Sequence, residues 1–328
     1  MNRKRHFFSA SDARTDLALE AHEMHSGQGG VPGVHISEQK MPDATVTRVN
    51  ISSPQGEEML GKPQGNYITI EARGLRERNR QLQERIAAIF AEELQRLMPQ
   101  QDRLRIFVVG LGNWNATPDA LGPQVVSNLL ITRHLHDDVP TDVQGGLRSV
   151  CAIAPGVLGL TGIETGEIIM GIVQQIKPDI VIAVDALAAR HVDRIFTTIQ
   201  ISDTGISPGS GVGHKRVGIN QQTLSIPVLA VGVPTVVHAV TIASNTVELL
   251  VKQLRREEQA FYEIIAEMGE QDQQRLINEV LTPAVGSLMV TPKEIDVYIE
   301  DFAKVVAGGM NIAFHPGIDS EQAFSYLN

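Results

Sequence analysis

Two aspartates stand where an acid could do chemistry. Asp119 lies in "GLGNWNATPDALGP" (110–123), directly after the apolar run "RIFVV", and Asp185 follows "DIVIAV". Runs of this kind form buried strands. In an open α/β sheet, ligands gather beyond the carboxyl ends of the strands, near a switch in strand order. Two acids brought there from different strands can share one proton, because close like charges resist joint ionisation. The ionised partner would activate water and the protonated one would polarise a carbonyl. Each acid also has a plain structural reading. "TPDA" is a helix-start signal in which Asp119 complements the N-terminal dipole, and Asp185 could be a strand-end acid paired with Arg190. A helix starting at Pro118 would carry Pro123 in its second turn, whereas one starting near Pro123 leaves Asp119 on the loop.

Other stretches compete for attention. "GLG" begins like a nucleotide-binding fingerprint, but the third glycine is missing and no well-placed acid for a ribose follows. "SPGSGVGHKR" (207–216) is a glycine-rich loop ending in cations. Its backbone N–H groups, around Gly209, Gly211 and Gly213 and followed by Lys215 and Arg216, could hold an anion or an extended peptide; a plain surface loop is the alternative. Asp203-Thr204-Gly205 matches the tripeptide of pepsin-like proteases. Those need two β-rich lobes with one copy each, so a single copy in an α/β setting reads as a structural turn. Cys151 has no partner motif and reads as a small buried hydrophobe. The ten histidines show no metal-ligand spacing. Gly-x-Ser-x-Gly and His-Glu-x-x-His are both absent.

The elements that must position these residues follow from hydrophobic patterning. Strands are expected at "YITIEA" (67–72), "RIFVVGLG" (105–112), "VCAIAPG" (150–156), "DIVIAVDAL" (179–187), "RIFTTIQIS" (194–202) and "IPVLAVGVPT" (226–235). Helices are expected at 75–98, 125–135, 165–178 and 240–256. A last helix is expected in "TPKEIDVYIEDFAKVVAGGM", with Thr291 as N-cap, Pro292 at the first helical position and Glu294 closing a capping box. Residues 1–60 read as irregular, apart from a short helix or extended arm at 11–24. Apolar strands alternating with helices indicate an α/β fold, with a mostly parallel or mixed central sheet covered by helices on both faces. An N-terminal arm precedes it, and a helical C-terminal extension follows from about residue 257.

The totals narrow the function. The chain has 328 residues, enough for a large core. A net charge of −10 and 4% aromatic residues argue against a broad nucleic-acid or anionic-membrane surface. One cysteine excludes an intrachain disulfide and fits a reducing cytoplasm. No run of about 18 apolar residues occurs, and the basic N-terminus lacks the apolar core of a secretory signal.

Several long stretches resemble the spore germination protease family. They are "RTDLALEAHEM", "GLGNWNATPDALGP", "NLLITRHL", "APGVLGLTGIET", "PDIVIAVDALAAR", the segment from "TIQISDTGI" to "KR", and "MVTPKEIDVYIEDFAKVVAGGMN". The resemblance runs in order over almost the whole chain. It implies a fold like that of hydrogenase maturation endopeptidases, and a cytoplasmic enzyme of the forespore and spore core. It implies an atypical aspartic endopeptidase whose two acids fall on Asp119 and Asp185, with no cofactor. The implied substrates are the small acid-soluble proteins that coat spore DNA, with no direct contact to nucleic acid or membrane. The implied state is a homotetrameric zymogen that removes its own propeptide on acidification. "RTDLALE" resembles the substrate motif of an acid, a large apolar residue and alanine. That places the processing bond at Asp16–Leu17, with residues 1–16 as propeptide and 17–328 as one peptidase domain. Two departures stand out: the segment after Arg256 is shorter than in the family, and the propeptide is more basic. The runner-up is a metal-dependent peptidase of the related hydrogenase-processing type, with His191 or His238 completing an acid pair on nickel. A non-catalytic spore protein is a further alternative.

Overall fold

The computed structural model describes residues 15–25, 30–101, 103–138, 146–206, 217–243, 245–246, 288–318 and 320–325. The Gly209–Arg216 loop, residues 247–256 of the helix expected at 240–256, and the expected extension from 257 as far as 287 therefore lie outside the described residues.

The strands are β1 (Val34–Lys40), β2 (Thr45–Ile51), β3 (Gly65–Glu71), β4 (Arg105–Gly110), β5 (Ser149–Ile153), β6 (Ile180–Ala189), β7 (Thr198–Ser202), β8 (Val228–His238) and β9 (Met289–Val290). They form one sheet in the order β1-β2-β3-β7-β8-β6-β4-β5, with β9 pairing β8. The sheet has two characters. β5, β4, β6 and β8 run parallel. β8, β7, β3, β2 and β1 alternate in direction. The expected mixed α/β fold is therefore what forms.

Side-chain alternation divides the core between the two faces. On one face, Ile106, Val108, Ile180, Ile182 and Val184 join Ile199, Ile201, Ile68 and Ile70 in the larger apolar cluster. α3 (Arg80–Leu97) and the long α9 (Ile295–Phe314) cover it. α3 places Leu82, Ile86, Phe90 and Leu94 at four-residue spacing, and Asn79 caps it by accepting from the Leu82 N–H at 3.1 Å. Gly309 lets α9 come close to α3, since a Cβ there would sit 2.4 Å from Phe90 Cδ1. On the other face Phe107, Val109, Val181 and Ala183 meet α7 (Thr165–Ile176) through Ile169 and Val173. Over the antiparallel half of that face lie α1 (Ala18–Glu23) and α2 (Pro54–Leu60), packing Ala18 and Ala21 on Val49, Ile51 and Tyr67.

Several expectations need correction. The first sixty residues are not irregular: β1, β2 and α2 occupy 34–60. β1 escaped because six of its seven residues are exposed at the sheet edge, which removes the apolar alternation. The helix expected at 125–135 is two pieces, α4 (Leu121–Ser127) and α5 (Arg133–Asp138). Pro123 sits in the first turn of α4, where its missing N–H breaks no helical bond. α9 begins at Ile295, and Glu294, its N-cap, makes no side-chain cap bond. The Thr291 hydroxyl instead donates to the Thr235 carbonyl at 2.8 Å, tying the approach of α9 to β8. Among the described residues no helix is long and apolar enough to cross a membrane.

Candidate active site

β4 stops at Gly110, paired with Val184 of β6, while β6 runs on for five more residues. This leaves a free strand edge beyond β4, at the parallel end of the sheet. Asp185 is the first residue past the last β4 pair. It is thus a mid-strand acid of β6 and not, as its sequence position suggested, a strand-end one. The chain leaving β4 turns back at once, and two glycines make that possible. A Cβ on Gly110 would lie 2.2 Å from the Gly122 carbonyl oxygen, and Gly112, at φ +113°, would place one 2.0 Å from the Asp119 carbonyl oxygen. The turn returns as a 3₁₀ segment, Thr117–Asp119. The Asn113 N–H donates to the Asp119 carboxylate at 2.9 Å, and the Thr235 hydroxyl holds the Pro118 carbonyl at 2.7 Å.

Both acids are thereby held at the end of the parallel strands. Burial pushes the Asp119 carboxyl above its ordinary range, opposed by the Asn113 N–H. Burial pushes Asp185 well above that range, and the nearby Asp119 adds to the rise. The Ala186 N–H, donating to Asp185 at 2.9 Å, opposes it, and Asp16 raises it further. Two interacting carboxyls, the deeper one favouring its neutral form, are the arrangement that general acid–base work requires.

The influence of Asp16 on Asp185 reflects where the N-terminal segment lies. Asp16 docks on the free edge of β6: its N–H donates to the Ala188 carbonyl at 3.0 Å, and its carboxylate accepts from the Ala188 N–H at 2.8 Å. The Asp16 carbonyl accepts from Gln200 Nε2 at 3.2 Å, and the Ala18 N–H donates to Gln200 Oε1 at 2.7 Å. Leu17, between them, is fully buried. Lys62 Nζ donates to the Thr15 carbonyl at 3.0 Å. Burial lowers the Lys62 pKa, while Asp16 and Glu20 support its charge. Downstream, the buried Glu20 carboxylate accepts from the backbone N–H groups of Arg190 and His191 at 2.8 and 2.9 Å and faces Arg194 at 3.4 Å. Arg194 also reaches Glu23 at 2.7 Å and Glu71 at 2.8 Å. The peptide unit between Asp16 and Leu17 is thus held on both sides, beside the acid pair.

Of the residues singled out from sequence, Asp119, Asp185, Asp16 and Leu17 come together here. Gly209, Gly211, Gly213, Lys215 and Arg216 lie outside the described residues. Asp203 accepts from the Asn66 N–H and side-chain amide at 2.8 and 2.7 Å, so its tripeptide anchors the start of β3. Cys151 lies among the apolar residues on the α7 face, and burial raises its pKa. Among the described residues, no three His, Cys, Asp or Glu side chains gather as a metal would need. His191 contributes its backbone N–H to Glu20, and His238 pairs with Met289 in the sheet. Sequence reasoning did not single out Lys62, Arg194 or Gln200. Only Gln200 left a faint trace, as the one long amide side chain in the buried run "TIQIS".

The germination protease family model matches residues 10–261 and 255–327. The chain belongs to the germination protease family. The germination protease of Caldanaerobacter subterraneus subsp. tengcongensis is 51% identical over 318 residues, covering 96% of this chain and 98% of that protein. The germination protease of Clostridium tetani is 45% identical, covering 96% and 99%. That of Bacillus subtilis is 46% identical over 355 residues, covering 95% and 96%. A solved [NiFe] hydrogenase maturation protease, HycI from Thermococcus kodakarensis KOD1, is 20% identical, with a TM-score of 0.27 over 44% of this chain and 80% of that one. That likeness is too slight to carry any argument about the site. Membership of the germination protease family makes the chain a peptidase.

Proposed function

We propose that this member of the germination protease family is an aspartate-dependent endopeptidase made as a zymogen. It first cuts its own Asp16–Leu17 bond and then cleaves small acid-soluble spore proteins in the spore core. The observation that carries this reading is the docking of Asp16 on Ala188, three residues along β6 from Asp185, with Leu17 buried beside it. A chain that holds a copy of its substrate in the cleft keeps other substrates out for as long as that copy stays seated. The family reading also brings a homotetramer.

In this reading Asp185, the more strongly raised of the pair, holds the shared proton and Asp119 is ionised. Asp119 takes a proton from water as its oxygen bonds to the Asp16 carbonyl carbon. Asp185 gives its proton to the carbonyl oxygen. Collapse of the tetrahedral species re-forms the carbonyl, breaks the bond to the Leu17 nitrogen and delivers a proton to that leaving amine. The pair titrates as a unit. Raising the pH strips the shared proton and stops the reaction, whereas acidification from above loads it. For the metal-dependent alternative, the described residues supply the two acids but gather no third donor beside them.

Intact-mass spectrometry of wild type, Asp119→Asn and Asp185→Asn, before and after mild acidification, tests this. Wild type should lose residues 1–16 and both variants should stay whole. Trimming of either variant at the wild-type rate rejects the acid pair.

A further inference from the structure

Gln200 lies on β7, and its position in the sheet matters. Register aligns Gln200 with Gly232 of β8, and Gly232 with Asp185 of β6. Residues in one row project to the same face. Gln200 and Asp185 therefore rise from that face two strands apart, with a glycine between them. Leu187 fills the space over Gly232, where a Cβ would lie 2.4 Å from Leu187 Cδ1. The apolar Leu187 side chain, and none from β8, therefore covers the row between the amide and the acid.

The orientation of the Gln200 amide is fixed by what it faces. The Asp16 carbonyl oxygen can only accept, so Nε2 must point to it. The Ala18 N–H can only donate, so Oε1 must point there. One side chain therefore grips the peptide on both sides of Leu17, straddling the Asp16–Leu17 bond. Its donor is aimed at the oxygen that gains negative charge when water adds. Gln200 is buried and needs no reorganisation to act, which is the condition for effective oxyanion stabilisation.

Resting on the reading that Asp16–Leu17 is the bond cut, we propose that Gln200 is a third catalytic residue. Through Nε2 it polarises the Asp16 carbonyl and stabilises the negative charge that builds on its oxygen as water adds, before the proton from Asp185 arrives. Through Oε1 it fixes the register of the peptide by its bond to the second residue after the cut. The same clamp would receive protein substrates, because it contacts backbone atoms alone.

Two variants separate the two halves of the amide. Gln200→Glu keeps the acceptor for the Ala18 N–H and, in its ionised form, replaces the donor with an oxygen. Gln200→Leu removes both. The full chain is acidified, release of residues 1–16 is followed by intact mass, and thermal melting checks the fold. Gln200→Glu should melt as wild type does yet process about 100-fold or more slower, the scale of losing one oxyanion donor. On the processed enzyme, with a free peptide of sequence 11–24, the loss should fall in kcat with little change in KM. If Gln200→Leu, which can neither donate nor accept, folds and processes within about three-fold of wild type, the donor role is overturned, whatever the fate of the acid pair. If wild type itself does not cut after Asp16, both this proposal and the function it rests on fall. Should neither Gln200 variant fold, the same peptide N-methylated at the Ala18 position is offered to the wild-type enzyme. Retained kcat/KM with that peptide overturns the clamp; a loss of about ten-fold or more supports it.

Discussion

A carboxyl group that favours its neutral form in the fold, but ionises freely when the chain unfolds, weakens the protein at neutral pH. Asp185 is such a group. Its folded pKa lies above its unfolded one, so between the two values the native state holds a proton that the unfolded state has released. Stability is therefore lost as pH rises through that window and does not return above it. Asparagine has the shape of the neutral acid without the ionisation. Asp185→Asn should raise the melting temperature at pH 7 by about 2 °C or more, and the gain should vanish once the pH falls below the ordinary carboxylate range. Melting curves across pH check this; an unchanged or lower melting temperature at pH 7 would contradict the environment assigned to Asp185. The same residue shows what sequence can convey. An acid closing an apolar run is visible in "DIVIAVDAL", because one strand writes it. Gln200 was not visible as a site residue, because its role depends on a row running through β7, β8 and β6, which no local pattern records.

Elements show the same division. β4, β6, β8, α3 and α7 were legible because each carries its own period, continuous for strands buried on both faces and four-residue for the helices. β1 was not, since an edge strand has one neighbour and here little burial. The start of α9 was misread because Thr291 had two possible partners, the first turn of its own helix and the Thr235 carbonyl. The second is supplied only by the folded sheet. Contact between α9 and α3 depends on a small residue that sequence offers no reason to favour. Gly309→Val should destabilise the fold by about 2–3 kcal/mol, because Phe90 and the Ala87 carbonyl already occupy the space. Urea denaturation with an unchanged slope would measure it, and a cost below about 0.5 kcal/mol would show that the helices part without strain.

At the scale of the whole molecule, the two halves of the sheet divide the labour. The parallel half ends in a step that exposes the edge of β6 and presents the acids. The antiparallel half is a platform for α1. Arg194 joins them: its side chain is only 11% exposed and meets Glu20, Glu23 and Glu71. Burial raises the Glu71 pKa and Arg194 opposes that rise. Arg194→Ala leaves these acids without their cation and should destabilise the fold by about 3 kcal/mol. Hydrogen exchange should quicken first in residues 18–23, ahead of β4 and β6. Uniform quickening along the chain would show that Arg194 supports the whole fold and not the docking of α1.

The two anchors of the N-terminal segment lie on opposite sides of the bond proposed to be cut. Thr15 and Asp16 are held by Lys62 and Ala188, and Glu20 by the backbone of Arg190 and His191. Hydrolysis between them would cut the chain without freeing either part. Residues 17–23 would remain covalently tied to the enzyme, a leashed competitor at an effective concentration of about millimolar order. Every incoming substrate would have to displace that leash, which raises the concentration each one needs by the same factor and leaves the ranking of targets unchanged.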